Sequence, residues 1–174
     1  MRIVLDGLYR LAGVLAALCM AGIALVVLAQ IAGRGLGFRV PEANEIAGYL
    51  VAGSAFLGLA PTLQAGTHIR VNLALQVLPP ALRRWVEVWC LLLALAVVGY
   101  ATWWALDLVI GSFEFDDRSP GELAIPLWIP QCALPLGLGM CAVALLDNLQ
   151  AALRGQPPAY VEAESAADLP GWNR

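Results

Sequence analysis

The chain has 174 residues, of which 60% are apolar and only 13% are charged, whereas a soluble domain is about 45–50% apolar and about 25% charged. So little charge cannot cover a surface against water, and the composition excludes a soluble globular protein. The expected surroundings are therefore the lipid bilayer. The net charge of −3 gives no basic field for nucleic acid, which excludes a nucleic-acid partner.

Four apolar stretches are each long enough to cross a membrane, since a bilayer core about 30 Å thick needs roughly 20 helical residues. The spans are predicted at Leu11–Ala32, Glu45–Leu63, Trp85–Ile110 and Ile125–Leu146. The fourth span opens with three prolines, which predicts irregular first turns, and it is expected to stop at Asp147. The sequence therefore predicts an all-α integral membrane protein with one four-helix transmembrane domain over residues 1–150.

The distribution of arginine predicts how the spans are oriented. The N-terminus, the middle loop and the C-terminal tail carry seven arginines, and the other two loops carry three, namely Arg34, Arg39 and Arg118. Because arginine-rich loops stay in the cytoplasm, both termini are predicted to be cytoplasmic. Residues 151–174, with Pro157-Pro158 and three acids, are predicted to form a disordered cytoplasmic tail.

The loop between the second and third spans predicts a short helix lying in the membrane plane. Val71, Ala74, Leu75 and Leu78 recur at helical spacing before two prolines, although an ordinary loop is the alternative. The single histidine, His68, has no Cys or acid cluster with metal-ligand spacing near it, so neither a metal nor a cofactor is expected.

Two features of the second span suggest function, and each also has a plainer explanation. Pro41 suits the first helical position, which puts Glu42 and Glu45 where the helix dipole favours a carboxylate, and capping alone would explain both acids. Ala47, Ser54 and Gly58 form a stripe of small residues that another helix could approach closely, but such spacing also arises by chance in Ala/Gly-rich helices. No catalytic set of side chains occurs, so an enzyme is not expected.

Several motifs together resemble a known family of membrane subunits. They are Glu45-Ile46-Ala47, Phe56-Leu57-Gly58, His68-Ile69-Arg70-Val71-Asn72, Ser119 followed by Ile125-Pro126-Leu127-Trp128-Ile129-Pro130, and Pro135-Leu136-Gly137. From about Leu11 to Leu146 the chain resembles the small, DctQ-like membrane subunit of the tripartite ATP-independent periplasmic (TRAP) transporters. Family members usually carry Asp where this chain has Asn72.

The resemblance implies a scaffold subunit of the bacterial inner membrane, which joins a large multi-span permease and works with a periplasmic substrate-binding protein. Such systems import organic acids on a sodium or proton gradient, and the coupling ion, expected to be Na⁺, belongs to the large subunit. The alternatives are a stand-alone small exporter or carrier, which would need an acid deep in a span, and an assembly subunit of an unrelated membrane complex.

The candidate residues divide into two groups. Expected subunit-interface or structural residues are Glu45, Ala47, Ser54, Gly58, His68, Arg70, Asn72, Pro126, Trp128 and Pro130. An acidic loop is the expected contact for the binding protein, through Glu114, Asp116, Asp117, Arg118 and Glu122. A solvated loop without a partner is the alternative for this second group.

Overall fold

The computed structural model describes residues 2–65, 80–121 and 123–155, and these residues form five helices. They are α1 (Arg2–Leu36), α2 (Ala43–Gln64), α3 (Pro80–Glu114), α4 (Trp128–Gln131) and α5 (Ala133–Leu153). α1, α2, α3 and the combined α4 and α5 are long and apolar enough to cross a membrane. The predicted all-α fold with four spans is therefore confirmed. The predicted in-plane helix lies outside the described residues, as does the predicted tail from residue 156 onward, whereas the first residues assigned to that tail, 151–153, belong to α5. The cytoplasmic position of the termini stays a prediction.

The helices extend beyond the predicted spans. α1 and α3 each contain 35 residues, or about 52 Å of helix, which exceeds the bilayer core. The predicted stop at Asp147 is wrong for the helix, because α5 continues to Leu153. A charged side chain limits how deep a segment sits in lipid, but it leaves the backbone hydrogen bonds of the helix intact.

The connection between α1 and α2 differs from the prediction at the start of α2. α1 ends at Leu36, and the next residue, Gly37, takes the left-handed conformation with φ 78°, which is favourable for glycine at this position. α2 begins at Ala43, and Glu42 precedes it with a left-handed φ of 55°. Pro41 thus lies outside the helix and does not occupy its first position.

The irregular start of the fourth span is confirmed. α4 is a single turn, and Cys132 separates it from α5. The Cys132 amide donates hydrogen bonds to the Trp128 and Ile129 carbonyls at 3.1 and 3.3 Å, so the chain keeps turning through the break. Pro130 and Pro135 flank this point, and neither residue has an amide to donate to the helix.

The long helices pack in the order α1, α2, α5, α3. α2 and α5 occupy the middle, where Ala60 of α2 and Ala144 of α5 are completely buried. α1 and α3 lie at the ends of the row, and their outward residues are exposed; Leu25 and Trp103, for example, are 67% and 71% exposed. Side chains of this kind require lipid or another protein around them.

α2 and α5 approach each other very closely at Gly137. A Cβ atom at this position would collide with the carbonyl of Phe56 and lie 2.9 Å from the Leu57 amide nitrogen. A cluster of apolar residues continues from there along α3 and α5 to Leu149 and Ala152. The two central helices therefore pack backbone against backbone through a glycine, as small residues allow in membranes.

Candidate functional site

The loop that joins α3 to α4, residues 115–127, folds back on itself beside the first turns of α2. The Ser119 amide donates to the Ile125 carbonyl and the Leu127 amide donates to the Asp117 carbonyl, both at 2.9 Å. These two bonds form an isolated antiparallel bridge. Because the loop is closed by its own backbone, it has a defined internal shape.

A set of three polar side chains ties this loop to the first turns of α2. Glu45 Oε1 accepts hydrogen bonds from the Ser119 hydroxyl and from the Tyr49 hydroxyl, the latter at 2.8 Å. The Gly121 amide donates to the same Ser119 hydroxyl oxygen at 3.2 Å. Oε2 of Glu45 is buried and has no hydrogen-bond partner among the described residues. We call Glu45, Tyr49 and Ser119 the Glu45 latch.

A cleft of about 520 Å³ lies beside the Glu45 latch, between the end of α1, the start of α2 and the loop. Gln30 donates to Asn44 across it at 2.9 Å, and the Glu42 carboxylate lies against Gly121. Both Glu42 and Glu45 line the cleft, and its described lining residues include no basic side chain. The described residues contain no cluster of three potential metal ligands.

The residues predicted to contact a binding protein lie together at the surface, at the end of α3 and in the loop that follows it. Glu114, Asp116, Asp117 and Arg118 are exposed, whereas Glu122 lies outside the described residues. Arg118 and Asp116 form an exposed ion pair at 3.2 Å, which contributes little to folding because water competes for both groups. The structure thus gathers these charges, and their contact with a partner stays a prediction.

The small-residue stripe lies on α2 at partly exposed positions. Ala47, Ser54 and Gly58 are half-buried. The Ser54 hydroxyl bonds the Val51 carbonyl of its own helix at 2.8 Å. A Cβ atom at Gly58 would meet no atom within 4 Å, so the described chain leaves space there for another helix.

The remaining candidate residues lie in the loop, in α4 or outside the described residues. Pro126 takes part in the bridge with Arg118, and Trp128 packs edge to face on Phe113 with ring centroids 5.7 Å apart. Pro130 lies in α4. The contact of Trp128 with Phe113 holds the end of the loop against α3. His68, Arg70 and Asn72 lie outside the described residues.

The roles of two residues in the site were not predicted from the sequence. Tyr49 follows Glu45 by four residues, a spacing at which helical side chains meet. The sequence spacing could therefore have predicted this contact. Ser119 is 74 residues from Glu45, and no local pattern connects the two.

The comparisons with known proteins agree with this architecture. The family described as "Tripartite ATP-independent periplasmic transporters, DctQ component" matches residues 23–155. The isethionate TRAP transporter permease protein DctMQ of Oleidesulfovibrio alaskensis is 28% identical over 113 residues, which cover 64% of this chain and 17% of that protein. The chain thus spans only a small part of that relative's length. The family match covers most of the chain, and the chain therefore belongs to the DctQ component family of the TRAP transporters.

Proposed function

We propose that this chain is the scaffold subunit of a transporter in the bacterial inner membrane that imports organic acids. In this proposal it associates with a large permease subunit, works with a periplasmic substrate-binding protein, and leaves the coupling ion, Na⁺, to the large subunit. The observation that carries the proposal is the family match over residues 23–155. The name of the relative, an isethionate permease, supports small organic anions as the substrates.

The interior of the spans supports a scaffold and not a substrate path. No charged residue and no histidine occurs within residues 11–33, 46–64, 88–106 or 128–146. A membrane site for an organic anion needs donors or helix N-termini that point into a cavity near the midplane, and ionisable groups at that depth mark transport pathways. A chain without such groups is suited to hold another subunit in place.

The exposed faces of α2 and α3 differ, and this difference supports one contact face for the large permease. Exposed tryptophans lie near both ends of the apolar part of α3, with Trp85 at 64% and Trp104 at 53% exposure; 19 residues, or about 28 Å of helix, separate them. Tryptophans at both lipid–water boundaries are typical of a lipid-facing helix. α2 instead presents its small-residue stripe around Gly58, and small residues permit close helix contacts. We assign α2 to the permease contact and α3 to lipid.

The test is co-purification followed by reconstituted transport. The chain is expressed with the large permease subunit, a tag on the permease is used for purification, and the complex is placed in liposomes with a Na⁺ gradient. We expect this chain to co-purify and uptake of organic acids to require both membrane subunits and the binding protein. A chain that purifies alone, or a permease that transports equally well without it, would contradict the proposal.

A further inference from the structure

Ser119 stands out in the loop because it is the one buried residue within the exposed segment 113–120. The residues on either side of Ser119 are exposed, whereas Ser119 itself is only 5% exposed. Its hydroxyl donates to Glu45 and accepts from the Gly121 amide. The Ser119 side chain therefore attaches the loop to α2.

Tyr49 fixes the other half of this attachment. Its hydroxyl lies one helical turn further along α2 and bonds the same carboxylate oxygen as Ser119, at 2.8 Å. Two donors on one oxygen hold the Glu45 side chain in a single orientation, and hydrogen bonds to a carboxylate are stronger than those between neutral groups. Loss of either hydroxyl weakens the connection between the loop and α2.

The charged residues of the loop come directly before Ser119 in the chain. Asp116, Asp117 and Arg118 are exposed, and the Asp117 carbonyl and the Ser119 amide form the bridge that closes the loop. The position of these charges therefore depends on where Ser119 is held. A surface that is fixed before it meets its partner loses less entropy on binding than a mobile one.

We propose that the Glu45 latch holds the acidic loop in the conformation on which the substrate-binding protein docks, through basic side chains on that protein. Ser119 and Tyr49 are positioning residues for this docking. The inference rests on the proposed function, because it requires a binding protein as the partner. It adds that residues buried beneath the docking surface, and not only its exposed charges, determine the affinity.

The experiment uses the complete reconstituted transporter and compares hydroxyl deletions in and outside the latch. Ser119→Ala and Tyr49→Phe remove the latch hydroxyls, and Ser119→Thr restores a hydroxyl. The matched controls are on α3. Thr102→Val removes a hydroxyl that donates to the Val98 carbonyl of its own helix at 2.7 Å, and Tyr100→Phe changes a residue that is 68% exposed.

Two readouts are measured on every variant. Hydrogen exchange of peptides covering residues 115–127 reports whether the loop is held, and titration with purified binding protein gives its half-saturating concentration and the maximal uptake rate. In Ser119→Ala and Tyr49→Phe we expect faster exchange and a half-saturating concentration raised about threefold to tenfold, with the maximal rate retained. Ser119→Thr and both controls should resemble the wild type.

The outcomes distinguish a failure of the latch inference from a failure of the proposed function. Unchanged exchange in Ser119→Ala would show that the hydroxyl does not hold the loop, and this would overturn the inference. Faster exchange with an unchanged half-saturating concentration would show that docking does not depend on the latch, which also overturns it. If wild-type uptake does not depend on a binding protein, the proposed function fails, and the docking role of the latch fails with it.

Discussion

Gly137 offers the sharpest test of the helix packing. A methyl group at this position collides with the Phe56 carbonyl on α2 and lies 2.9 Å from the Leu57 nitrogen. Both neighbours are backbone atoms, so no side-chain rotation relieves the clash. Gly137→Ala therefore has to push α2 and α5 apart.

The expected magnitude is a balance of two effects. Overpacking a tight interface costs typically about 1–3 kcal/mol, and separation of the helices also loosens the contacts of Ala60 and Ala144. Replacing a helical glycine by alanine contributes roughly 0.5–1 kcal/mol in the opposite direction. We expect a net loss of about 1–2 kcal/mol, which lowers the melting temperature by roughly 2–4 °C per kcal/mol in a chain of this size.

Gly139→Ala is the matched control, because it changes the same residue type two positions further along α5. The nearest atom to a Cβ there is Thr102 Cγ2 at 4.0 Å, an ordinary contact. Thermal unfolding of both purified variants in the same detergent should show a lower melting temperature for Gly137→Ala and no loss for Gly139→Ala. Equal melting temperatures would refute the close approach of α2 and α5.

The remaining predictions concern orientation, assembly, docking and selectivity. Reporters that are active only in the periplasm should work when fused after Arg34 and stay silent after Arg154; the reverse pattern would invert the topology. Gly58→Leu should lower co-purification of the large permease by a packing cost of about 1–3 kcal/mol, and an intact complex would place this face of α2 in lipid. Neutralising the acids of the loop at residues 114–122 should weaken the salt dependence of uptake; unchanged salt dependence would remove these charges from docking. Loss of this subunit should reduce uptake of all substrates together, and substitution of His68 should leave the ratio of two competing substrates constant, because the proposed scaffold role leaves the substrate site to the large subunit. A changed ratio at normal levels of complex would place part of that site in this chain.

The sequence was sufficient to predict the number and type of the spans, because a bilayer requires long uninterrupted apolar segments. It was also sufficient for the irregular start of the fourth span, where proline removes backbone donors. The ends of the helices were less predictable. Asp147 limits the apolar segment, but nothing in its chemistry stops the helix before Leu153.

The arrangement of the helices and the latch depend on contacts between distant parts of the chain. All four spans are apolar around most of their circumference, so hydropathy does not indicate which helix neighbours which. The order α1, α2, α5, α3 follows from particular close contacts such as that of Gly137 with Phe56. Glu45 was identified as a candidate from its place in the first turn of α2, but its partner Ser119 becomes visible only when the loop is folded.

α2 is the helix on which these features converge, and they occupy separate parts of it. Its first turns hold the loop through Glu45, its middle packs on α5 at Phe56, and its partly exposed side is the proposed contact for the permease. Glu45 and Phe56 are 11 residues apart in one helix, or about 16 Å. Effects at sites farther apart than about 10 Å are usually additive. A weakened latch therefore alters docking without loosening the packing of α2 on α5, so the two properties can be tested independently in the same subunit.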